Sequence, residues 1–376
     1  MKIVHLTSVH ARSDTRIFIK ECCSLASKGF DVTLVVADGV GNEVRHGVDI
    51  VDVGAPSSRI NRILVITRRV LDAAVAIDGD LYHIHDPELL PVGLRLKSFG
   101  KMVVFDAHED VPKQLLTKPY LGRVSARVLS QCFEKLERYS CSRLDGIVAA
   151  TPFIREKFIQ INPNTVAINN FPIDAELVTE NKAWESKGDE VCYIGGMSTI
   201  RGVREIVKSL EYVHPSVFLN LGGRFQEKKL EREVKAYRQW PRVIELGYLD
   251  REGVRKALGR SLAGLVTFYP VPNHVDAQPN KMFEYMAAGI PVIASDFPLW
   301  REIVGGSDCG ICVDPLDPRA IGAAISYVVE NPDRAEEMGR NGQRAVRDFY
   351  NWAAEEVKLF AFYQDIRGGD NGVLRR

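Results

Sequence analysis

Residues 274–304 read HVDAQPNKMFEYMAAGIPVIASDFPLWREIV. Pro279 and Asn280 favour a helix start, because proline's fixed φ suits a first turn and its missing N–H is no loss there. The run Phe283–Ala288 continues as helix, Gly289 supplies a stop, and 291–296 (PVIASD) is a buried, strand-like run. A helix feeding a strand that is apolar on both faces belongs to a β-α-β unit of a covered parallel sheet.

The same alternation extends in both directions. KIVHLTS (2–8), DVTLVVA (31–37), LYHIHD (81–86), MVVFDAH (102–108) and GIVAAT (146–151) form a first strand series. Periodic segments lie between them, such as 15–29, where Ile17, Glu21, Leu25 and Gly29 mark a helix and its stop. VCYIGG, VFLNLGG, RVIELG, AGLVTF, PVIASD and GICV form a second series. Periodicity is lost between them in the polar stretch 169–190. The fold class expected is α/β, with two Rossmann-like, doubly wound parallel-sheet domains facing a cleft. The expected division is 1–171, 172–345, and a terminal helix with a frayed tail over 346–376. Trp352, Leu359, Phe360 and Tyr363 supply that helix's apolar stripe.

Composition limits the partners. In 376 residues, 49 Lys+Arg balance 49 Asp+Glu, which argues against nucleic acid. No run approaches the roughly 20 apolar residues of a membrane span, and 62–77 is interrupted by Arg68 and Arg69. Seven scattered cysteines and no secretory leader pattern suit reduced thiols in a cytoplasm. Cys309 and Cys312 have CxxC spacing without a second pair or nearby histidine, so no metal site is read there.

In such sheets ligands bind beyond the carboxyl ends of the strands, and the unusual polar residues fall there. Asp276 precedes the helix that opens at Asn280, and Glu284 lies in its early turns. The loop amides and helix N-terminus suit a diphosphate, while carboxylates there suit neutral sugar and ribose hydroxyls.

This stretch resembles the signature of the retaining glycosyltransferases of family 4, which have the GT-B fold. Two acids eight positions apart precede a helix and A-x-G-x-P-V-I-A-S. The resemblance implies that Asp276, where the family usually has Glu, contacts the transferred sugar and that Glu284 contacts the ribose. YIGGMSTIRGVREIVKSL (193–210) resembles the family's glycine turn and basic-Gly motif. It implies donor contacts at Gly195, Gly196 and Arg201, with Arg201 neutralising the diphosphate. Gly196 stands where many relatives have Arg, and Lys281 is the candidate substitute. Gly222 and Gly223 supply a second glycine turn near the nucleotide. His108, after the strand 102–107, matches a family histidine that hydrogen-bonds the donor sugar or phosphate.

Two further polar loops, His10, Asp14 and Arg16, and His85, Asp86 and Glu88, resemble those of bacterial polysaccharide-assembly enzymes. Acceptor contact and ordinary capping or salt bridging both fit them. The basic, amphipathic segment 113–138 fits either a solvated helix face or an anionic membrane surface, where lipid-linked acceptors reside.

The activity implied is sugar transfer with retention, of hexosyltransferase type, from a nucleotide diphosphate sugar to a glycan or lipid-linked acceptor. No cofactor is implied, and without a DxD motif no divalent metal is expected on the diphosphate. Two other functions fit the fold. A nucleotide-sugar 2-epimerase would recruit Asp106, His108 and Glu109 as acid and base. A non-catalytic subunit would bind a partner transferase. A nicotinamide-dependent dehydrogenase fits less well, since no GxGxxG follows the first strand.

Overall fold

The computed structural model describes residues 1–116, 122–173, 184 and 187–368. The chain divides into two compact units, Met1–Asn170 with Ala353–Arg376, and Phe171–Trp352. Most of the polar stretch expected as a linker, together with Lys118, Leu121 and the tail 369–376, lies outside the described residues.

The first unit is built on an eight-stranded sheet. Its strands are β1 (Lys2–Leu6), β2 (Asp31–Val36), β3 (Glu43–Arg45), β4 (Val48–Asp52), β5 (Leu81–Ile84), β6 (Met102–Ala107), β7 (Gly146–Ala149) and β8 (Thr165–Ala167). They lie in the order β3-β4-β2-β1-β5-β6-β7-β8. All pairings are parallel except β3 with β4. That edge adds one antiparallel pair to the parallel sheet expected. His46 and Gly47 both take positive φ, 52° and 76°, the backbone of a two-residue hairpin turn. The polar residues around it gave no strand pattern to read.

Chain direction across the sheet reverses between β1 and β5, so the loops after β1, β5 and β6 emerge side by side. Val4, Leu6, Tyr82, Ile84, Val103 and Phe105 pack in a hydrophobic core. By the period-two pleat, His5 and His83 point to the other face of the sheet. Their helix cover there includes Thr15–Cys22, a π-helical segment.

The terminal helix, Trp352–Gly368, completes this unit. Leu359, Phe362 and Tyr363 are buried, whereas Phe360, expected on the buried stripe, is half-buried and stacks on Phe30 at 6.3 Å. A Cβ on Gly146 of β7 would lie 2.6 Å from the Phe362 ring and 2.8 Å from Ile366, so the helix sits where a side chain would stand. Glu355, buried, accepts the Asn169 N–H at 3.0 Å. The return to the first unit falls after Trp352 rather than at 346, because helix Pro332–Asp348 runs unbroken with Val346 in the second unit's core.

The second unit holds β9 (Glu190–Ile194), β10 (Phe218–Gly222), β11 (Val243–Gly247), β12 (Ala263–Val266), β13 (Val292–Ser295) and β14 (Gly310–Val313). Their order is β11-β10-β9-β12-β13-β14 with every pairing parallel. The direction reverses between β9 and β12, which places the loops after both at a second switch point. Residues 274–304 fold as read, with helix Asn280–Ala287, Gly289 at φ 72°, and buried β13.

Leu359 is fully buried on the terminal helix. Leu359→Ala is expected to cost about 2–5 kcal/mol, the range for emptying such a site, read as a lower midpoint in urea denaturation.

Candidate functional site

In the second unit, β9 and β10 end in paired glycine turns. Gly195 and Gly223 take φ 126° and 135°, and a Cβ on Gly223 would lie 2.0 Å from the Gly195 carbonyl oxygen. Only bare backbone permits that approach. The Gly195 N–H donates to the Gly222 carbonyl at 2.7 Å, which locks the two turns together.

Two cations converge on this floor. Arg201, in the turn Thr199–Arg201, donates from Nη1 to the Gly196 carbonyl at 3.1 Å. Lys281, second residue of helix Asn280–Ala287, is buried, with its Nζ 3.6 Å from the Tyr193 ring centre. That Nζ would lie 3.0 Å from a Cβ built on Gly195, and no described residue accepts a hydrogen bond from it. Burial first, and Arg201 second, push its pKa well below the ordinary lysine value. A buried cation without an acceptor is costly, and an incoming anion removes that cost.

The space at Gly196 explains the residue found there. A Cβ would meet Gln226 Nε2 at 2.7 Å and Arg201 Nη1 at 2.8 Å, so those side chains already fill the position. Asn280 opens the helix, and its N-cap Pro279 offers no side-chain acceptor, so the first amides are left for a ligand. Asp276 sits half-buried in the preceding turn, and no described residue donates to its carboxylate. Glu284 is paired through Oε1 with Arg251 Nη1 at 2.7 Å. Arg251 was not among the expected residues; it opens helix Arg251–Arg260, and only the fold brings it to Glu284. Thr267 Oγ1, Asn273 Oδ1 and Gln278 Oε1, all between β12 and helix Asn280–Ala287, are also buried without a partner. The unpaired Lys281 amine beside Arg201 suits an anionic group, and the unpaired amide oxygens suit hydroxyl donors.

In the first unit, the loops after β1, β5 and β6 bring His10, Asp14, Asp86, Asp106 and His108 together. His10 Nδ1 lies 3.2 Å from Asp14, its Nε2 lies 3.4 Å from Asp86, and the His10 and His108 rings are 5.3 Å apart. Asp14 also caps helix Thr15–Cys22, accepting the Arg16 and Ile17 N–H groups.

Arg16 and Asp86, read as candidates for facing an acceptor, are instead buried and engaged. Arg16 gives Nε and Nη2 to Asp106 at 2.8 Å each and Nη1 to the Ile168 carbonyl at 2.9 Å. Asp86 accepts from Thr7 Oγ1 and the Ser8 N–H at 2.9 and 2.6 Å. Of the two readings open for these loops, capping and salt bridging is the one these contacts match, with partners distant in sequence. Glu88 bonds Ser8 at 3.0 Å and Arg62 at 2.5 Å. His108 keeps a partly exposed ring, with Nε2 2.9 Å from Asp106. Burial works against charge on Asp106, but Arg16 and His108 outweigh it and hold that carboxyl well below its usual range. Asp106 is thus held ionised, with both oxygens committed to Arg16. Glu109 is exposed and bonded to Gln114.

Residues 175–345 match the family described as Glycosyl transferases group 1, and residues 19–176 match Glycosyltransferase Family 4. The chain is similar to a glycogen synthase of Mycobacterium tuberculosis, 23% identical over 185 residues, 48% of this chain and 44% of that protein. The chain thus spans under half the length of that relative. It is 23% identical over 306 residues to a phosphatidyl-myo-inositol mannosyltransferase of Mycolicibacterium smegmatis, covering 77% of this chain and 72% of that one. Its fold is that of sucrose-phosphate synthase from Thermosynechococcus elongatus (TM-score 0.80, 17% identity, 98% and 99% of the chains). HepE of Anabaena, solved in complex with UDP, superposes with TM-score 0.75 at 16% identity over 97% and 100% of the chains.

His10 is a titratable member of the first-unit cluster, paired with two carboxylates. Burial lowers its pKa, but the hydrogen bond to Asp14 and the charges of Asp86, Asp14 and Asp106 raise it overall. The pair's stabilisation is complete below the unfolded histidine value of about 6.5 and is lost as pH rises through the raised folded value. Removing the carboxylate in Asp14→Asn should lower the His10 pKa. An NMR titration of the His10 ring protons reads that shift directly.

Proposed function

Since the chain belongs to the GT-B glycosyltransferases of the family 4 type, we propose that it moves a sugar from a nucleotide diphosphate sugar to an acceptor hydroxyl with retention. The observation that carries this reading is Lys281 Nζ, buried and without an acceptor among the described residues, beside Arg201 at the Gly195–Gly196 turn. The donor diphosphate supplies the missing anion. Asp276 then meets hydroxyls of the transferred sugar, and Glu284, fixed by Arg251, meets the ribose.

Charge that develops on the leaving diphosphate is met by Arg201, Lys281 and the first amides of helix Asn280–Ala287. The bond from the anomeric carbon to phosphate oxygen breaks, and the acceptor oxygen bonds that carbon on the same face. The acceptor proton passes to the departing phosphate oxygen, so no side-chain base is required. His10 and Asp14 belong to the acceptor side in this reading, and His108 keeps the donor-directed role that the resemblance implies. Two fixed cations on the diphosphate remove the need for a divalent ion there, and we infer no other cofactor. A UDP sugar is the first donor to try, because HepE, of the same fold, is solved with UDP.

The acceptor we infer is a glycan or lipid-linked glycan of surface-polysaccharide assembly, reached from the cytoplasmic face of a membrane. No described helix is long and apolar enough to cross one. Helix Arg123–Cys141 exposes Val124, Val128 and Leu129 beside Arg127, a surface suited to resting on anionic lipid.

A panel of UDP-, GDP- and other nucleotide sugars should raise the melting temperature of the chain with at least one donor. Lys281→Ala should weaken that donor by roughly 10–100-fold, the worth of a charged hydrogen bond, and Glu284→Ala should abolish the shift. Added Mg²⁺ should leave the affinity unchanged. No response to any nucleotide sugar, or a product of inverted anomeric configuration by NMR, would count against the reading. Flotation with phosphatidylglycerol vesicles, but not with phosphatidylcholine alone, is expected and should fall in Val124→Asp/Val128→Asp.

A further inference from the structure

The geometry points to a closed divalent-metal site in the first unit, best matched to zinc, with His5, Glu21, His83 and His85 as its four ligands. It lies within the protein interior, and the transfer reaction proposed above makes no use of it.

Strand register builds the histidine set. His5 on β1 lies opposite His83 on β5, and His85 follows His83 by two residues, on the same face of the extended chain. Glu21 enters from helix Thr15–Cys22, packed over that face. His5, Glu21 and His83 are fully buried and His85 is 2% exposed. His5 Nδ1, His83 Nδ1 and His85 Nε2 each lie 3.8 Å from Glu21 Oε2. One ligand atom from each of the four residues falls within 4.8 Å of the others. A tetrahedral zinc with bonds of about 2.0–2.1 Å sets its ligand atoms about 3.3 Å apart. The pairs at 3.8 Å need to close by about 0.5 Å, and a pair at the 4.8 Å limit by about 1.5 Å shared between two side chains.

Protein groups alone leave this cluster unsatisfied. Neither Glu21 oxygen accepts a hydrogen bond from a described residue. Arg16 Nε stands 3.2 Å from Glu21 Oε1, but its fork is held by Asp106 in a bidentate pair. His5 Nδ1 and His85 Nε2 face each other at 2.9 Å and share one proton in a hydrogen bond, which a metal held by both nitrogens would replace. A cation at the centre takes both nitrogens' lone pairs and gives Glu21 a countercharge.

The surroundings fit a ligand set. His85 Nδ1 lies 3.3 Å from Asp106 Oδ2 without a formed hydrogen bond, a separation from which a small ring rotation would place the carboxylate behind the imidazole. Tyr363 Oη, on the terminal helix, lies 2.6 Å from His83 Nδ1, a hydrogen bond that metal binding would replace. A second grouping, His85, Asp106 and His108, is a poorer set, because Asp106 is committed to Arg16 and His108 is partly exposed. Four buried protein ligands with no solvent-facing position make a structural site, one that joins β1, β5 and the helix Thr15–Cys22.

The test uses the full chain, produced in zinc-supplemented medium and, separately, refolded with Zn²⁺ or Co²⁺. One zinc per chain by elemental analysis is expected, with a tetrahedral d–d spectrum from the cobalt form and a higher melting temperature than the chain refolded with chelator. Glu21→Gln and His83→Gln should lose the metal, and His108→Gln should keep it. Should the first two fail to fold, anomalous scattering at the zinc edge from wild-type crystals locates the ion, at these four residues or elsewhere. Substoichiometric metal in both preparations, an octahedral cobalt spectrum, uptake that survives in folded Glu21→Gln, or an ion found elsewhere overturns the proposal. The cluster is then a hydrogen-bonded one with a proton on Glu21.

Discussion

A buried guanidinium facing a buried carboxylate organises the first unit. Arg16 and Asp106 meet in a bidentate pair with almost no exposure, which costs both their hydration. What compensates is the number of elements the pair joins. Arg16 begins the first helix and reaches the Ile168 carbonyl just past β8, while Asp106 at the end of β6 also holds His108 and faces His85. Removing either partner would strand a charge in the interior, a loss of about 3–5 kcal/mol. The polar cluster at the strand ends takes its geometry from that pair.

The second unit solves a different electrostatic problem. Its glycine turns bring backbone close enough to leave a floor of carbonyls and amides, and then Lys281 is driven under Tyr193 with no acceptor. Hydrophobic packing of the helix that carries it, through Met282, Phe283, Tyr285 and Met286, holds the ammonium there. Stability given up at one atom is thus available to whatever anion arrives.

Much of this was legible in the sequence, for identifiable reasons. Glycine turns after apolar strands are local signals, so Gly195, Gly222 and Gly223 could be read directly. Proline before a helical run did the same for Asn280 and Lys281. Arg251 could not be read, because its meeting with Glu284 depends on how two helices pack. His5, Glu21 and His83 were passed over for another reason. Within an apolar run a lone histidine reads as strand, and Glu21, in step with Ile17 and Leu25, reads only as a marker of the helix. Only the β1–β5 register and the placement of the first helix show that they converge. Arg16 and Asp86 were misplaced in burial for the same reason, since their partners lie on strands far away in sequence. The β3–β4 hairpin escaped because a three-residue strand has too few positions to show a period.

The terminal helix makes the first unit discontinuous in sequence. Leu359, Phe362 and Tyr363 fill its core, and Glu355 satisfies Asn169, yet all are synthesised after the second unit is complete. During translation the N-terminal sheet must therefore wait, its β7 surface at Gly146 uncovered, while residues 171–352 emerge and fold as an uninterrupted piece. The order of completion runs opposite to the order of synthesis. A chain truncated after Trp352 but before the last two turns of that helix would carry a finished second unit and an open first one.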